Sequence, residues 1–110
     1  MNKKRKVIIT GGSKGIGKSI AFKFAENNFD IFLISSNKEN LLKVKYEIQN
    51  KFNTNVSFCV ANLKTQGGCN LVIKKIEKDF YDFDTLIFSA GDTKSGDFLN
   101  QKIEEYLDGF

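Results

Sequence analysis

Thr10-Gly-Gly-Ser-Lys-Gly-Ile-Gly-Lys-Ser19 follows a short apolar run, Val7-Ile8-Ile9, and precedes a stretch in which Ile16, Ile20 and Phe24, with Ala21 and Ala25, mark one helical face. A glycine-rich turn between a strand and a helix exposes backbone N–H groups at the helix start, where the peptide dipoles favour an anion. Glycine also lets the chain take φ > 0 and come close to a ligand. The stretch therefore predicts a phosphate-holding turn. Outward from it the same pattern repeats. Lys6 to Thr10 reads as the first strand, and Asp30 opens a second, Ile31-Phe32-Leu33-Ile34. Leu41, Lys45, Ile48 and Phe52 then mark a helical face, with the lysine stem lying along the stripe. Val56 to Val60 reads as a third strand, Val72, Ile76 and Phe80 as a third helical face, and Thr85 to Phe88 as a fourth strand. Asn37 and Thr65 stand where helix caps belong. A polar loop follows Gly91, and Gln101 to Asp108 reads as a helix. Apolar runs alternating with amphipathic stretches predict an α/β fold of βαβ units around a parallel sheet.

The chain has 110 residues, room for one domain. Its hydrophobic fraction of 41% with nine glycines is that of a globular chain. No apolar run approaches the roughly 20 residues that cross a bilayer, and Met-Asn-Lys-Lys-Arg-Lys leads into too short an apolar segment for a signal peptide. No membrane contact and a cytoplasmic location are expected. Of 17 basic residues against 13 acidic, four are the run Lys3, Lys4, Arg5 and Lys6, so the rest of the chain is neutral. That placement predicts a solvated basic arm over residues 1–5 rather than a nucleic-acid surface. The chain has no histidine, which excludes Ser-His-Asp and Cys-His nucleophiles and His-ligated zinc. Cys59 and Cys69 form no CxxC pair, so no metal site is expected, and a disulfide is improbable in a reducing cytosol.

Two patterns fit the glycine turn. Gly12-x-x-x-x-Gly17-Lys18-Ser19 satisfies the P-loop of nucleoside triphosphatases, with lysine on the outer phosphates and the hydroxyl on magnesium. That chemistry also wants an acidic residue at the end of another strand. The later strands run instead into Ser35-Ser36-Asn37, Ala61-Asn62 and Ser89-Ala90-Gly91. Thr10-Gly11-x-x-x-Gly15-Ile16-Gly17 resembles the dinucleotide loop of the short-chain dehydrogenase/reductase family. Asp84-x-Leu86-Ile87-Phe88-Ser89-Ala90-Gly91 resembles that family's fourth strand, and Asn62-Leu63 stands where the family has Asp or Asn followed by an apolar residue beside the adenine. Residues 92–110 resemble the next loop and helix of bacterial 3-oxoacyl-acyl-carrier-protein-reductase-like members, so the resemblance runs nearly end to end.

The resemblance implies a partial Rossmann-type doubly wound parallel sheet, a single dinucleotide-binding half-domain over residues 1–110, truncated before the second half. It implies that Gly11, Ser13, Lys14, Gly15, Ile16 and Gly17 line the pyrophosphate and adenosine ribose, with Gly17 allowing close helix-to-sheet packing. Ser35 and Ser36 end the second strand where NAD-preferring sites place an acid. With no carboxylate to repel a 2′-phosphate, and Lys14 and Lys38 nearby, NADP is expected over NAD. Asn62 would accept from adenine N6 through its amide oxygen, unless it only caps a turn, with Leu63 beside it. Ala90 and Gly91, after Ser89, would make room for the nicotinamide ribose. Phe88-Ser89 replaces the family's usual pair of asparagines, and Phe88 is expected to pack. Lys18 and Ser19 would face solvent from the first helix.

The family's hydride transfer uses a Tyr-x-x-x-Lys pair. Here Tyr46 is followed four residues on by Asn50, Tyr81 by Thr85 and Tyr106 by Phe110, so no catalytic residue is assigned. The resemblance implies the NADP-binding portion of an oxidoreductase interconverting a carbonyl and an alcohol, whose longer parent is a homo-oligomer. This chain alone is expected to be inactive, with the fourth strand exposed as a sheet edge. A P-loop nucleoside triphosphatase and a noncatalytic nucleotide-binding protein stay open as alternatives at this point.

Overall fold

A computed structural model of the protein describes residues 4–11 and 15–88. Strands β1 (Lys6–Thr10), β2 (Asp30–Ser35), β3 (Val56–Val60) and β4 (Thr85–Phe88) alternate with helices α1 (Gly15–Glu26), α2 (Lys38–Lys51) and α3 (Gln66–Asp79). The strands pair in parallel in the order β3-β2-β1-β4. Thr10 stands beside Ile34 on one side and Phe88 on the other. From β1 the chain steps outward through β2 and β3, then returns to the opposite side of β1 for β4. The sheet is therefore doubly wound, as expected.

Val7, Ile9, Ile31 and Leu33 pack on one face against Ala21 and Ala25 of α1 and Leu41, Val44 and Ile48 of α2. Ile8, Phe32 and Ile34 pack on the other against Cys69, Val72 and Ile76 of α3 and against Phe80. Coverage on both faces is why β1 and β2 read as unbroken apolar runs rather than alternating ones. Burial of each such large side chain contributes about 1.5–3 kcal/mol, which makes these two central strands the energetic centre of the fold. Cys59 and Cys69 are buried in the second cluster as thiols. Burial pushes the Cys59 thiol up against the opposing charge of Lys75, away from a reactive thiolate.

Three packing expectations are corrected. On α1 the buried stripe is Gly17, Ala21 and Ala25, while Ile16 is 75% exposed. Small residues at a spacing of four let the helix lie close on the sheet, and Ile20 and Phe24 flank that contact half-buried. On α2, Val44 joins Leu41 and Ile48 as a buried residue the reading passed over, while the half-buried Lys45 holds its ammonium 5.7 Å from the centre of the Phe58 ring. Phe88 is exposed and joins neither core cluster, because it closes a four-residue strand at the edge of the described sheet.

The caps match the sequence reading. Asn37 Oδ1 accepts from the Asn40 N–H at 3.1 Å, and Thr65 Oγ1 accepts from the Gly68 N–H at 3.0 Å. The end of α1 was not foreseen. Asn28 adopts φ 66°, its N–H donates to Ala25 O at 3.0 Å, and the Phe29 N–H donates to Phe24 O at 3.1 Å. The Phe24 and Phe29 rings meet edge-on at 4.8 Å. This is a Schellman cap with its apolar contact, with asparagine where glycine is usual.

The basic segment is also not a free arm over the residues described. Lys4 Nζ contacts Asp30 Oδ1 and Asn53 O, both at 3.1 Å, and the Arg5 guanidinium lies 5.4 Å from the Phe29 ring centre. Lys6 Nζ reaches Asp82 Oδ1 at 2.8 Å, and its backbone N–H donates to Asp84 Oδ2 at 2.8 Å. Carboxylates at the start of β2 and just before β4 pin these cations to the N-terminal edge of the sheet, an attraction a charge count along the chain does not show.

Candidate nucleotide site

The glycine turn leaves β1 at the C-terminal edge of the sheet, where the winding reverses between β1 and β4. In open parallel sheets the crevice at such a switch point is where ligands bind. Gly11 takes φ 70°, and its N–H donates to Ile34 O at 2.6 Å, drawing the turn toward β2. Gly15 takes φ 49° and opens α1. A Cβ at Gly15 would meet nothing within 4 Å, so conformation alone asks for glycine there. Two left-handed glycines bracketing a helix start, with Gly17 buried two residues on, form a frame whose first-turn amides are not spent on helix bonds. Ser13 and Lys14, expected to line the pyrophosphate, lie outside the described residues.

The neighbouring strand ends supply a largely neutral rim. Ser35 Oγ accepts from the Asn37 N–H at 3.2 Å, and Ser35 O accepts from the Ala61 N–H at 3.0 Å. Ser36 is exposed beside exposed Lys38, and Asn37 is spent as the α2 cap. Asn62 follows β3, with Leu63 half-buried against the α3 cluster. The Asn62 amide oxygen accepts from the Lys64 N–H at 2.9 Å, and its carbonyl accepts from Thr65 Oγ1 at 2.9 Å and the Thr65 N–H at 3.2 Å. So the turn-capping role is realised. Gly68 presses on this turn: a Cβ there would stand 2.0 Å from Asn62 O. Sequence reading passed over Gly68, and the Gly67-Gly68 pair at the start of α3 was its only signal. Ser89, Ala90 and Gly91 lie outside the described residues, as does the helix expected over Gln101 to Asp108.

Charge divides the sheet end from end. At the N-terminal edge, Asp30, Asp82 and Asp84 gather Lys4 and Lys6. At the opposite edge, the residues closing β1, β2 and β3 carry no carboxylate. Among the described residues no cluster of His, Cys, Asp and Glu could hold a metal ion, and no helix is long and apolar enough to cross a membrane. Lys18 is engaged with α2. Its ammonium pairs with Glu47 Oε2 on α2 at 3.1 Å and lies 5.9 Å from the Phe22 ring centre, so it is only partly solvated, while Ser19 is exposed. The lysine and hydroxyl that a P-loop needs at the phosphates are thus engaged or placed elsewhere.

The chain is similar in sequence and fold to known proteins. The chain is 28% identical over 107 residues to a 3alpha-hydroxysteroid dehydrogenase of Mediterraneibacter gnavus, covering 96% of this chain and 43% of that protein. It is 30% identical over 110 residues to the 3-oxoacyl-acyl-carrier-protein reductase FabG of Staphylococcus aureus, covering 98% and 44%. Its fold superposes on L-sorbose reductase of Gluconobacter frateurii, solved with NADPH and L-sorbose, with a TM-score of 0.77 at 28% identity, over 82% of this chain and 34% of that one. The chain therefore spans less than half the length of these relatives. The family profile described as short chain dehydrogenase matches residues 5–109, and the chain belongs to that family.

Proposed function

We propose that this chain supplies the NADP-binding portion of an oxidoreductase that interconverts a small-molecule carbonyl and an alcohol. The observation that carries the reading is the glycine frame at the switch point: Gly11 and Gly15 in left-handed conformations before and at the start of α1, with Gly17 buried two residues on. The N–H groups at the start of α1 and the helix dipole suit a pyrophosphate, so the residues present fit a dinucleotide. The bound cofactor would supply the hydride at its nicotinamide ring. Here the chain's own part is to bind and orient, because no Tyr-x-x-x-Lys pair occurs in it. An acid/base pair belongs to another segment of the working enzyme. Preference for NADP is supported by the Ser35-Ser36-Asn37 end of β2, which presents no carboxylate, by exposed Lys38 and by Lys14 in the turn. It is supported as well by the NADPH bound in the similar sorbose reductase.

Titrating NADPH and NADH into the purified chain, followed by nicotinamide fluorescence with ATP–Mg²⁺ as control, tests this. The expected result is saturable binding, tighter for NADPH, that weakens about tenfold in Lys14→Ala, the loss of one charge-assisted contact. Binding of ATP alone would overturn the assignment.

A further inference from the structure

Successive side chains of an extended chain leave on opposite faces, and the basic run that leads into β1 is divided in this way. Lys6 continues the row of Ile8 on the α3 side, where its ammonium lies 5.2 Å from the Phe80 ring centre and pairs with Asp82. Arg5 falls on the α1 side with Val7 and Ile9, and its guanidinium lies 5.4 Å from the Phe29 ring centre. Its backbone is fixed, because Arg5 O accepts from the Asp30 N–H at 2.8 Å. Lys4 has Asp30 and Lys6 has Asp82, but among the described residues Arg5 has no carboxylate partner. Arg5 instead lines a cleft of about 300 Å³ with Lys23, Phe24, Asn27 and Phe29.

Among the described residues that lining is two cations, one amide and two phenyl rings, with no acid. Lys23 is exposed and only loosely held, Nζ to Glu26 Oε2 at 3.7 Å, a surface pair that contributes little and leaves the ammonium available. The C-terminal end of α1 lies here too, and its dipole sets about half an elementary negative charge against an anion. Two full cations outweigh that, and donors of the cap occupy the last carbonyls. Lys23 O accepts from Asn27 Nδ2 at 2.8 Å, Ala25 O from the Asn28 N–H at 3.0 Å and Phe24 O from the Phe29 N–H at 3.1 Å. The edge-on rings of Phe24 and Phe29 supply an apolar wall, with Phe24 half-buried. A planar guanidinium beside such a wall suits a molecule that is anionic at one end and flat and apolar at the other, and the volume is at the small end of ligand sites. We propose that this cleft is a second ligand site, separate from the glycine turn, and that it takes a small aryl carboxylate. The carboxylate lies on Arg5 with Lys23 beside it, and the aryl ring lies against Phe24 and Phe29.

The test titrates 2-naphthoate, and the neutral 2-naphthalenemethanol as control, into the nitrogen-15-labelled full chain and follows its amide resonances. The expected result is saturable naphthoate binding with shifts centred on Arg5 and on Lys23 to Phe29, and a Kd about tenfold lower than that of the alcohol. Arg5→Gln weakens naphthoate binding about tenfold, and Arg5→Lys, which keeps the charge but not the planar fork, recovers only part of that loss. Lys23→Gln, a substitution on an exposed helix surface, weakens it about threefold and decides the matter if Arg5→Gln fails to melt cooperatively. Absence of binding, equal affinity for the acid and the alcohol, an unchanged Kd in either folded variant, or shifts centred on Gly11 to Gly17 overturns the inference. The dinucleotide reading stands or falls separately, on the NADPH titration.

Discussion

Asn28 holds a left-handed backbone, φ 66°, to close α1 and return the chain into β2. An asparagine tolerates that conformation better than most residues, but glycine adopts it without a Cβ penalty. The two hydrogen bonds of the cap run between backbone atoms, so the asparagine side chain is not needed for them. Asn28→Gly is expected to stabilise the fold by about 0.5–1 kcal/mol, read as a rise of a few degrees in Tm. Asn28→Val lowers it, since a β-branched residue is strained at positive φ. An unchanged melt for both would show that the turn rearranges freely. Legibility at this scale follows from how local the cause is. Gly11 and Gly15 could be read because glycine is nearly the only residue for their backbone conformations. Gly68 could not, because what demands it is a carbonyl six positions earlier, brought near only by the way α3 returns over the end of β3. Asn62 was legible as a rim residue but not in its amide orientation, which depends on a backbone N–H whose direction the sequence does not reveal.

At the scale of elements, β2 opens on Asp30, whose carboxylate ties three segments together. Its Oδ1 accepts from the Asn55 N–H at 3.0 Å and from Thr54 Oγ1 at 3.2 Å, and pairs with Lys4 Nζ at 3.1 Å. The Thr54 hydroxyl also reaches Phe29 O. Burial by itself would raise the Asp30 carboxyl, but the Asn55 N–H, the Lys4 ammonium and the Thr54 hydroxyl outweigh it and hold it below the usual carboxylate range. A depressed pKa means the folded state favours the ionised form. Its contribution is full above the unfolded value of about 4 and is lost as pH falls through the lower folded value. Denaturant titrations from pH 7 down to pH 2 should show that acid loss. Asp30→Asn should flatten the acid limb while lowering stability near neutrality by about 1–3 kcal/mol through weakened hydrogen bonds. An acid limb identical in the variant would exclude Asp30 as its source. Strand positions and most helix faces were legible because apolar period is a local signal. The failures came where two side chains of similar size or position competed for one contact. Val44 took the α2 core place next to the half-buried Lys45 stem, and the small stripe on α1 left Ile16 75% exposed.

Across the whole molecule, the ion pairs and the proposed dinucleotide site lie at opposite ends of one parallel sheet. The N-terminal edge carries the ion pairs and the Asp30 latch, while the C-terminal edge carries the left-handed glycines, the Ser35-Ser36 rim and the Asn62 turn. Between them, burial is graded across the sheet. The central residues Ile8, Ile9, Ile31 and Leu33 are fully buried, whereas Thr85, Leu86 and Ile87 of β4 are only partly so and Phe88 is exposed. Local opening free energy follows buried contact and hydrogen-bonded backbone, so amide hydrogen exchange should rank the strands. β1 and β2 are expected to exchange slowest, through global unfolding, and β4 faster through local opening at the edge of the described sheet. Adding NADPH should then slow exchange at Gly15 to Gly17 and around Asn62 while leaving the Lys4, Asp30 and Thr54 edge unchanged, because the ligand contacts only one end. Slowing that is uniform over both ends would instead mean that binding stabilises the chain globally, and uniform protection of β4 with β1 before any ligand is added would contradict the graded sheet.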